Sequence, residues 1–283
     1  MNLTKDLETI IRKKGRKNKA LKVMVTSDYH IPFMDIGAYE IMKQKVKDYR
    51  PDVFVINGDF LDCYTLSFFD KNPSRKQTFN DEIELGKKYL QDIRSTLPKS
   101  SKLYLIAGNH ENRLEKNLWK NPETYEVMSQ YANLPILLNL QKNKVDFIGV
   151  NSDYWKNDNG HLEIGDMLIM HGDNRLNGAS TSKYSGYSAK NTVSTMGTNV
   201  TIGHCHRLAL HYSTTPYRDM IGIEGGMLAM HTGTANWQQG FVTFESLDNK
   251  TINPRLYHIH KQGQERVMYD NGKIYKVQGS ELQ

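Results

Sequence analysis

Apolar and polar positions along the chain keep two rhythms. "LKVMVTSDYH", residues 21–30, is a β-branched run that turns abruptly polar, the pattern of a buried strand running into a loop. Ile36, Tyr39, Met42, Val46 and Tyr49 then recur at helical spacing and stop at Pro51. "DVFVINGD" repeats the strand-then-polar pattern. Asn80, followed by Asp81 and Glu82, reads as a helix N-cap with acids in the first turn, and Ile83, Leu90, Ile93 and Leu97 carry that helix to Pro98. "KLYLIAGNHEN" is a third strand with a polar end. Three strand–helix units with short connections predict parallel strands joined by right-handed crossovers, an α/β fold.

Beyond about residue 133 the rhythm turns to β. "VDFIGV", "HLEIG", "MLIMHGD", "NVTIGHCH" and "GFVTFE" are short apolar runs separated by Gly, Asn and Asp, and "YHIH" continues them. "VMYDNGKIYKV" carries a turn signal between alternating segments, which predicts a C-terminal β-hairpin. Residues 175–199, rich in Ser, Gly, Asn and Thr, read as a loop or weak helix. Ahead of all this, Leu3, Leu7, Ile10 and Ile11 sit at helical spacing, and "RKKGRKNK" follows with six basic residues in eight. Two readings stand for this basic N-terminal arm, residues 1–20: a solvated leader, or a segment that contacts nucleic acid. Residues 21–283 form the second unit.

Composition narrows the class. The chain has 283 residues, 38% hydrophobic and 24% charged, enough to bury a core. It contains no apolar run long enough for a membrane span and no apolar signal core at its start. Cys63 and Cys205 are its two cysteines, far apart and beside polar motifs, so a disulfide framework is not expected and a reducing cytoplasm is. A formal net charge of +6 favours polyanionic or phosphorylated partners. Composition says nothing of oligomeric state.

Candidate chemistry collects where apolar runs end. "SDYH" supplies Asp28 and His30, "NGDFLD" Asp59 and Asp62, "GNHE" Asn109, His110 and Glu111, "MHGD" His171, and "GHCH" His204 and His206. Sites in α/β sheets form beyond the carboxyl ends of strands, so these ends can converge. Residues two apart on extended chain point the same way, which would aim Asp28 with His30, and His204 with His206, into one pocket. Imidazole, carboxylate and amide together suit transition metals of intermediate hardness. Two carboxylates, an amide and four imidazoles exceed the needs of one ion, whereas two ions sharing a carboxylate would use them all.

The ordered set "DYH … GDFLD … GNHE … HGD … GHCH" resembles the calcineurin-like metallophosphoesterase superfamily, including its phage- and prophage-type members. The resemblance spans roughly residues 22–245. It implies an α/β fold built as a double β-sandwich flanked by helices, with a dinuclear metal centre at the strand ends. By matching position, one divalent ion falls to Asp28, His30, Asp59 and His206. The other falls to Asp59, Asn109, His171 and His204, with Asp59 bridging and Cys205 a spacer. Manganese is the expected metal, with iron, zinc and nickel as alternatives. His110 is implied to act at the leaving-group oxygen, oriented by Asp62. The protein-phosphatase branch has arginine and glycine after its "GDxxD", where this chain has Cys63 and Tyr64. Arg113 and Arg207 are therefore candidate substitutes for gripping phosphate. Glu111 reads as structural, and Trp237 as packing rather than substrate stacking. His258 and His260 read as a strand face rather than a ligand pair, and His161, His211 and His231 as ordinary strand or loop residues.

The activity so implied is hydrolysis of a phosphate ester by a hydroxide bridging two metal ions. Basic charge, the arm and the absent arginine favour a phosphodiester or nucleic-acid substrate. A phosphomonoesterase acting on nucleotides or phosphoproteins is the alternative. A non-catalytic nucleic-acid-binding member is a third reading, set against the completeness of the ligand set.

Overall fold

The computed structural model describes residues 3–15, 19–149, 160–173, 182–231, 236–247 and 251–279. Four parallel strands come first: β1 (Leu21–Thr26), β2 (Val53–Asn57), β3 (Lys102–Ile106) and β4 (Val145–Ile148). An N-terminal helix α1 (Leu3–Gly15) precedes them, and α2 (Ile36–Tyr49) and α3 (Phe79–Thr96) make the crossovers. Three short helices, α4 (Asn112–Leu118), α5 (Pro122–Met128) and α6 (Leu134–Leu137), lie between β3 and β4. The second half adds β5 (His161–Ile164), β6 (Met167–Met170), α7 (Tyr187–Met196), β7 (Asn199–Ile202), β8 (Leu208–Thr214), β9 (Asp219–Gly225), β10 (Gly240–Ser246) and β11 (Ile252–His258). Three last strands are β12 (His260–Gln262), β13 (Glu265–Asp270) and β14 (Lys273–Gln278).

The strands form a six-stranded sheet, β11-β10-β1-β2-β3-β4, a five-stranded sheet, β5-β6-β7-β9-β8, and the three-stranded β12-β13-β14. The period-2 pattern shows why the two large sheets stack. Val23, Val25, Val53, Val55, Tyr104 and Ile106 face Ile164, Met167, Ile169 and Ile223 of the second sheet in one apolar layer. Their neighbours Met24, Phe54, Ile56, Leu103 and Leu105 point the other way, under α2 and α3. The far face of the second sheet packs Leu168, Met170, Val200 and Ile202 on Ala189 and Val193 of α7. The order is helices, sheet, sheet, helix: the double sandwich expected.

One local reading changes and two are sharpened. Helix α3 is capped by Thr78, not Asn80: the Thr78 hydroxyl accepts from the Asp81 amide at 3.2 Å, and the Asp81 carboxylate accepts from the Thr78 amide at 2.9 Å. That reciprocal box satisfies two amides that a cap at Asn80 would leave open. Within the Ser/Gly-rich stretch, α7 is a helix of ten residues, while residues 174–181 lie outside those described. The C-terminal hairpin turns through Asn271 and Gly272, both at positive φ, as its Asn-Gly pair demands. β12 widens it to three strands. Arg266 ties this sheet to the core through a buried ion pair with Asp35, the N-cap of α2.

The N-terminal segment is also more than a leader. Leu7 and Ile11 are 1% and 4% exposed, packed with the inter-sheet layer, and Lys14 pairs with Asp52. The apolar stripe of α1 explains this, because it offers one face for burial while Arg12 and Lys13 stay outside. Arg16 and Lys17 lie outside the described residues. Among the described residues, no helix is long and apolar enough to cross a membrane.

If α1 is part of the core, Leu7→Ala or Ile11→Ala should cost about 2–5 kcal/mol in denaturant unfolding. Lys13→Ala on the exposed face should stay within about 0.5 kcal/mol of the parent.

Candidate metal centre

Five strand ends deliver the polar residues to one seam between the two large sheets. Asp28 lies two residues past β1, Asp59 two past β2 and Asn109 three past β3, all on the first sheet. His171 directly follows β6, and His204 and His206 follow β7, on the second. Asn57 stitches the sheets together here. Its side-chain amide donates to the Met170 carbonyl at 2.9 Å, and its own carbonyl accepts from His171 Nδ1 at 2.9 Å.

The chain does not reach this geometry by extended backbone. Asp28, His30, Asp59, His204 and His206 all have left-handed φ, between 49° and 61°. The strands stop at Thr26, Asn57 and Ile202, and the polar residues are turned inward by tight loops past those ends. Non-glycine residues at positive φ are uncommon, and such strain collects at functional sites. Neighbouring amides hold the carboxylates in place. The His204 amide donates to Asp28 at 3.0 Å, and the His110 amide to Asp59 Oδ1 at 3.0 Å.

Asp28 and Asp59 are 0% and 1% exposed, and among the described residues no lysine or arginine pairs with either. Burial alone would raise both carboxyls. The imidazoles around them outweigh it: His206 and His171 hold Asp28 below its usual range, and His171, His110 and His30 hold Asp59 well below. Asp62 is likewise lowered against burial by its bonds to His110 and His30. For His30 and His204, burial dominates and pushes the imidazole down, towards the neutral ring.

The tautomers can be assigned from the partners on the far ring nitrogens. His30 Nδ1 donates to the Asp62 carboxylate at 2.9 Å, so its Nε2 presents a lone pair. That lone pair faces His206 Nε2 at 3.1 Å, and His206 Nε2 lies 3.2 Å from Asp28 Oδ1. His171 Nδ1 donates to the Asn57 carbonyl, so its Nε2 faces Asn109 Oδ1 at 3.1 Å and Asp59 Oδ2 at 3.2 Å. In a neutral His171 ring the fixed Nδ1–H leaves the Nε2 lone pair aimed at two acceptors, whereas His206 Nε2 is placed to donate to Asp28 and its Nδ1 is buried without a partner. Asp28, His30 and His206 form one group able to hold a metal ion, and Asp59, His171 and His204 a second, with ligand atoms within 4.8 Å of one another in each. The donor set fits divalent cations: each of His30 and His171 has its outer nitrogen fixed by an acceptor, as metal-binding imidazoles do.

His110 stands beside this cluster. Its Nδ1 donates to the Asp62 backbone carbonyl at 2.7 Å and lies 3.3 Å from the Asp62 carboxylate. Asp62 does approach His110, then, but through its carbonyl first, since its carboxylate bonds His30 more closely. Arg113 donates to the same carbonyl at 2.8 Å and to His110 Nε2 at 3.0 Å. Burial lowers the His110 imidazole, but Asp59 and Asp62 outweigh it and raise the pKa. Arg207 turns elsewhere: its guanidinium donates to the Ser182 carbonyl, and its Nε is buried without a partner. Trp237 packs edge-on against His206, ring centroids 4.6 Å apart. His258 and His260 lie together on exposed strand, apart from the ligand groups.

Residues with no obvious chemistry complete the site. A Cβ on Gly108 would sit 2.0 Å from Asp59 Oδ1, and one on Gly58 2.3 Å from His171 Nδ1. Their signal in the sequence is position alone, a glycine just before each polar cluster. Glu111 knots the loops. Its Oε2 accepts from the Asp59 and Gly108 amides at 3.0 and 2.6 Å, and its Oε1 from the Leu61 amide at 2.8 Å.

Comparisons with known proteins bear on this seam. A family model described as calcineurin-like phosphoesterase matches residues 21–211. The gene 54 protein of Mycobacterium phage D29 is 26% identical over 257 residues, covering 84% of this chain and 93% of its own. Its counterpart in Mycobacterium phage L5 is also 26% identical, over 259 residues, with 84% and 93% covered. Among solved structures, a metallophosphoesterase from Sphaerobacter thermophilus aligns with TM-score 0.45 at 14% identity, over 86% of this chain and 90% of that one. Vacuolar protein sorting 29 from Cryptosporidium parvum aligns with TM-score 0.39 at 13% identity, over 93% and 98%.

The Glu111 knot can be tested without touching a ligand. In Glu111→Gln an amide NH₂ replaces one carboxylate oxygen and leaves at least one buried amide without an acceptor. The variant should lose about 1–3 kcal/mol per stranded amide in denaturant unfolding. A stability within about 0.5 kcal/mol of the parent would mean that the loops are held by something else.

Proposed function

The chain belongs to the calcineurin-like phosphoesterase family, and from that premise we propose that it is a metal-dependent hydrolase of phosphate esters working with two divalent cations. The observation that carries this reading is the convergence of buried carboxylates and imidazoles into two groups, Asp28 with His30 and His206, and Asp59 with His171 and His204, with the outer nitrogens of His30 and His171 each fixed by an acceptor. Asp28, His30, Asp59 and His206 would hold one cation, and Asp59, Asn109, His171 and His204 the other. The mixture of imidazole, carboxylate and amide suits manganese, with iron, zinc and nickel able to substitute. When bound, such a pair of cations supplies Lewis acidity and makes a water nucleophile available near neutral pH.

The chain's own groups do the rest. Asp28 and Asp59 stay ionised and keep the seam ready for cations. Among the described residues Arg113 is the guanidinium that reaches the site, bridging Asp62 and His110, and in this reading it turns one N–H hydrogen bond from His110 to a phosphate oxygen as charge develops there. The freed His110 Nε2 takes a proton from solvent, favoured by the raised pKa of the ring, and passes that proton to the departing ester oxygen, while Nδ1–H stays on the Asp62 carbonyl and keeps the ring aimed. Asn109 holds its side-chain oxygen towards the seam. Arg207 takes no part in gripping phosphate and instead shapes the rim at Ser182.

The substrate we propose is a phosphodiester, with nucleic acid the natural source. The net charge of +6 and the basic run from Arg12 to Lys19 support a polyanionic partner.

Metal analysis of the protein reconstituted with Mn²⁺ should give two ions per chain, and a chelator should abolish hydrolysis that added Mn²⁺ restores. A saturating stoichiometry of one in folded protein would remove the bridging role of Asp59. His110→Ala should lose about 10²–10⁴-fold in turnover at unchanged metal content, whereas His171→Ala should lose both. Turnover of an aryl phosphodiester above that of the matching monoester supports the diester reading, and the reverse order overturns it.

A further inference from the structure

The loop that leaves the seam at Asp62 carries an unusual surface. After Cys63 the chain makes a single 3₁₀ turn, Tyr64–Leu66, and then presents Phe68 and Phe69 at 75% and 72% exposure. Their rings lie 5.8 Å apart. Tyr64 meets Phe33 edge-on at 6.5 Å, and the Arg75 guanidinium lies 4.4 Å from the centroid of each of those two rings. Lys71 sits 5.3 Å from the Tyr64 centroid. Phe33 is three residues past His30 and donates its amide to the His30 carbonyl. Both ends of this surface are therefore tied by short backbone to residues of the seam.

Burial does not explain Phe68 and Phe69, which keep most of their surface in water, whereas Phe33 and Tyr64 are half-buried. Arg75 is exposed with no acidic partner among the described residues. Lys71 donates to the Ser67 and Phe69 carbonyls and has no acidic partner among the described residues. Exposed aromatic rings beside cations that no carboxylate neutralises suit one kind of ligand: flat unpaired bases strung on a phosphate backbone. A duplex hides its base faces and could use only the cations. A protein partner of the ordinary kind would want an apolar centre with charges at its rim, and here Arg75 lies across the Phe33–Tyr64 pair.

We propose that Phe33, Tyr64, Phe68, Phe69, Lys71 and Arg75 form a base-stacking platform that holds single-stranded nucleic acid, with one of its phosphodiesters delivered to the seam. The inference rests on the phosphodiesterase reading of that seam and names its substrate as an unpaired strand.

The test is binding of a labelled oligothymidylate of about a dozen nucleotides, within the span of single-strand binding sites, to the full-length chain. It is compared with a blunt duplex of equal length, both in chelator so that nothing is cut. The single strand should bind more tightly. Phe68→Ala with Phe69→Ala, and separately Arg75→Ala, should each weaken single-strand binding by at least about fivefold, the lower bound of one lost base stack. Phe68→Trp with Phe69→Trp should hold it near the parent value, which a merely structural role for the rings would not require. Equal or tighter binding of the duplex overturns the proposal, as do alanine variants that bind the oligonucleotide like the parent. Alanine variants that convert a dimer to a monomer while oligonucleotide affinity stays put would give the face to a second copy of the chain, and would also overturn it. Hydrolysis of an aryl phosphodiester by the parent, with no oligonucleotide binding, removes the platform and leaves the phosphoesterase reading standing. No hydrolysis of any phosphate ester with Mn²⁺ removes that reading itself.

Discussion

Two buried carboxylates that no lysine or arginine among the described residues pairs with govern the organisation of this chain. Asp28 and Asp59 are taken out of water at the junction of two sheets, where an unpaired charge would cost several kcal/mol. The chain answers with imidazoles and backbone amides in place of lysine or arginine. Imidazoles can lend partial compensation through N–H donation and then step back, because each can give up that proton and offer a lone pair to something more positive. A lysine at the same position would neutralise the carboxylate permanently and close the seam.

The loops follow from that constraint. To bring backbone amides onto the carboxylates, the chain must turn sharply just past each strand, and five polar residues accept left-handed backbone to do so. Gly58 and Gly108 supply the close approach, and Glu111 ties the turns after β2 and β3 to each other through three amides. Local strain of this kind persists only where the surroundings over-determine it. The apolar layers on both faces of the first sheet provide that rigidity.

Much of this was legible in the chain. The first sheet is buried on both faces, so its strands read as apolar runs ending in polar clusters, and the order of those clusters points to one site. The left-handed turns are not legible, because a two-residue spacing such as Asp28–His30 or His204–His206 looks the same whether the backbone is extended or coiled. β8 and β9 are hard to see for a different reason. In Leu208–Thr214 the exposed positions are Leu210, Tyr212 and Thr214 and the half-buried ones include His211 and Ser213, so side-chain type does not mark its faces, and its pairing with Asp219–Gly225 is set by the neighbouring strand. The docking of α1 is a tertiary event: an amphipathic stretch beside a basic run looks the same whether or not a core is waiting for it. Arg113 and Arg207 look alike as candidates in the sequence, and only the folded chain separates them: Arg113 reaches the Asp62 carbonyl from α4, whereas Arg207 turns to the Ser182 carbonyl.

The seven ligand candidates divide between the sheets, with Asp28, His30, Asp59 and Asn109 on the first and His171, His204 and His206 on the second. Anything held by both sets fastens one sheet to the other, much as a disulfide fastens two strands, in a chain whose two cysteines, Cys63 and Cys205, are both buried and unbridged. Occupancy and the packing of the sandwich then share one free energy. A ligand that binds the closed seam at a hundred times its dissociation constant adds about 2.7 kcal/mol to the fold. The relation also runs backwards. A methyl group lost between Val55 and Ile169, deep between the sheets, changes how far apart the two halves of the ligand set stand, so the apolar interior acts as the ruler for the site.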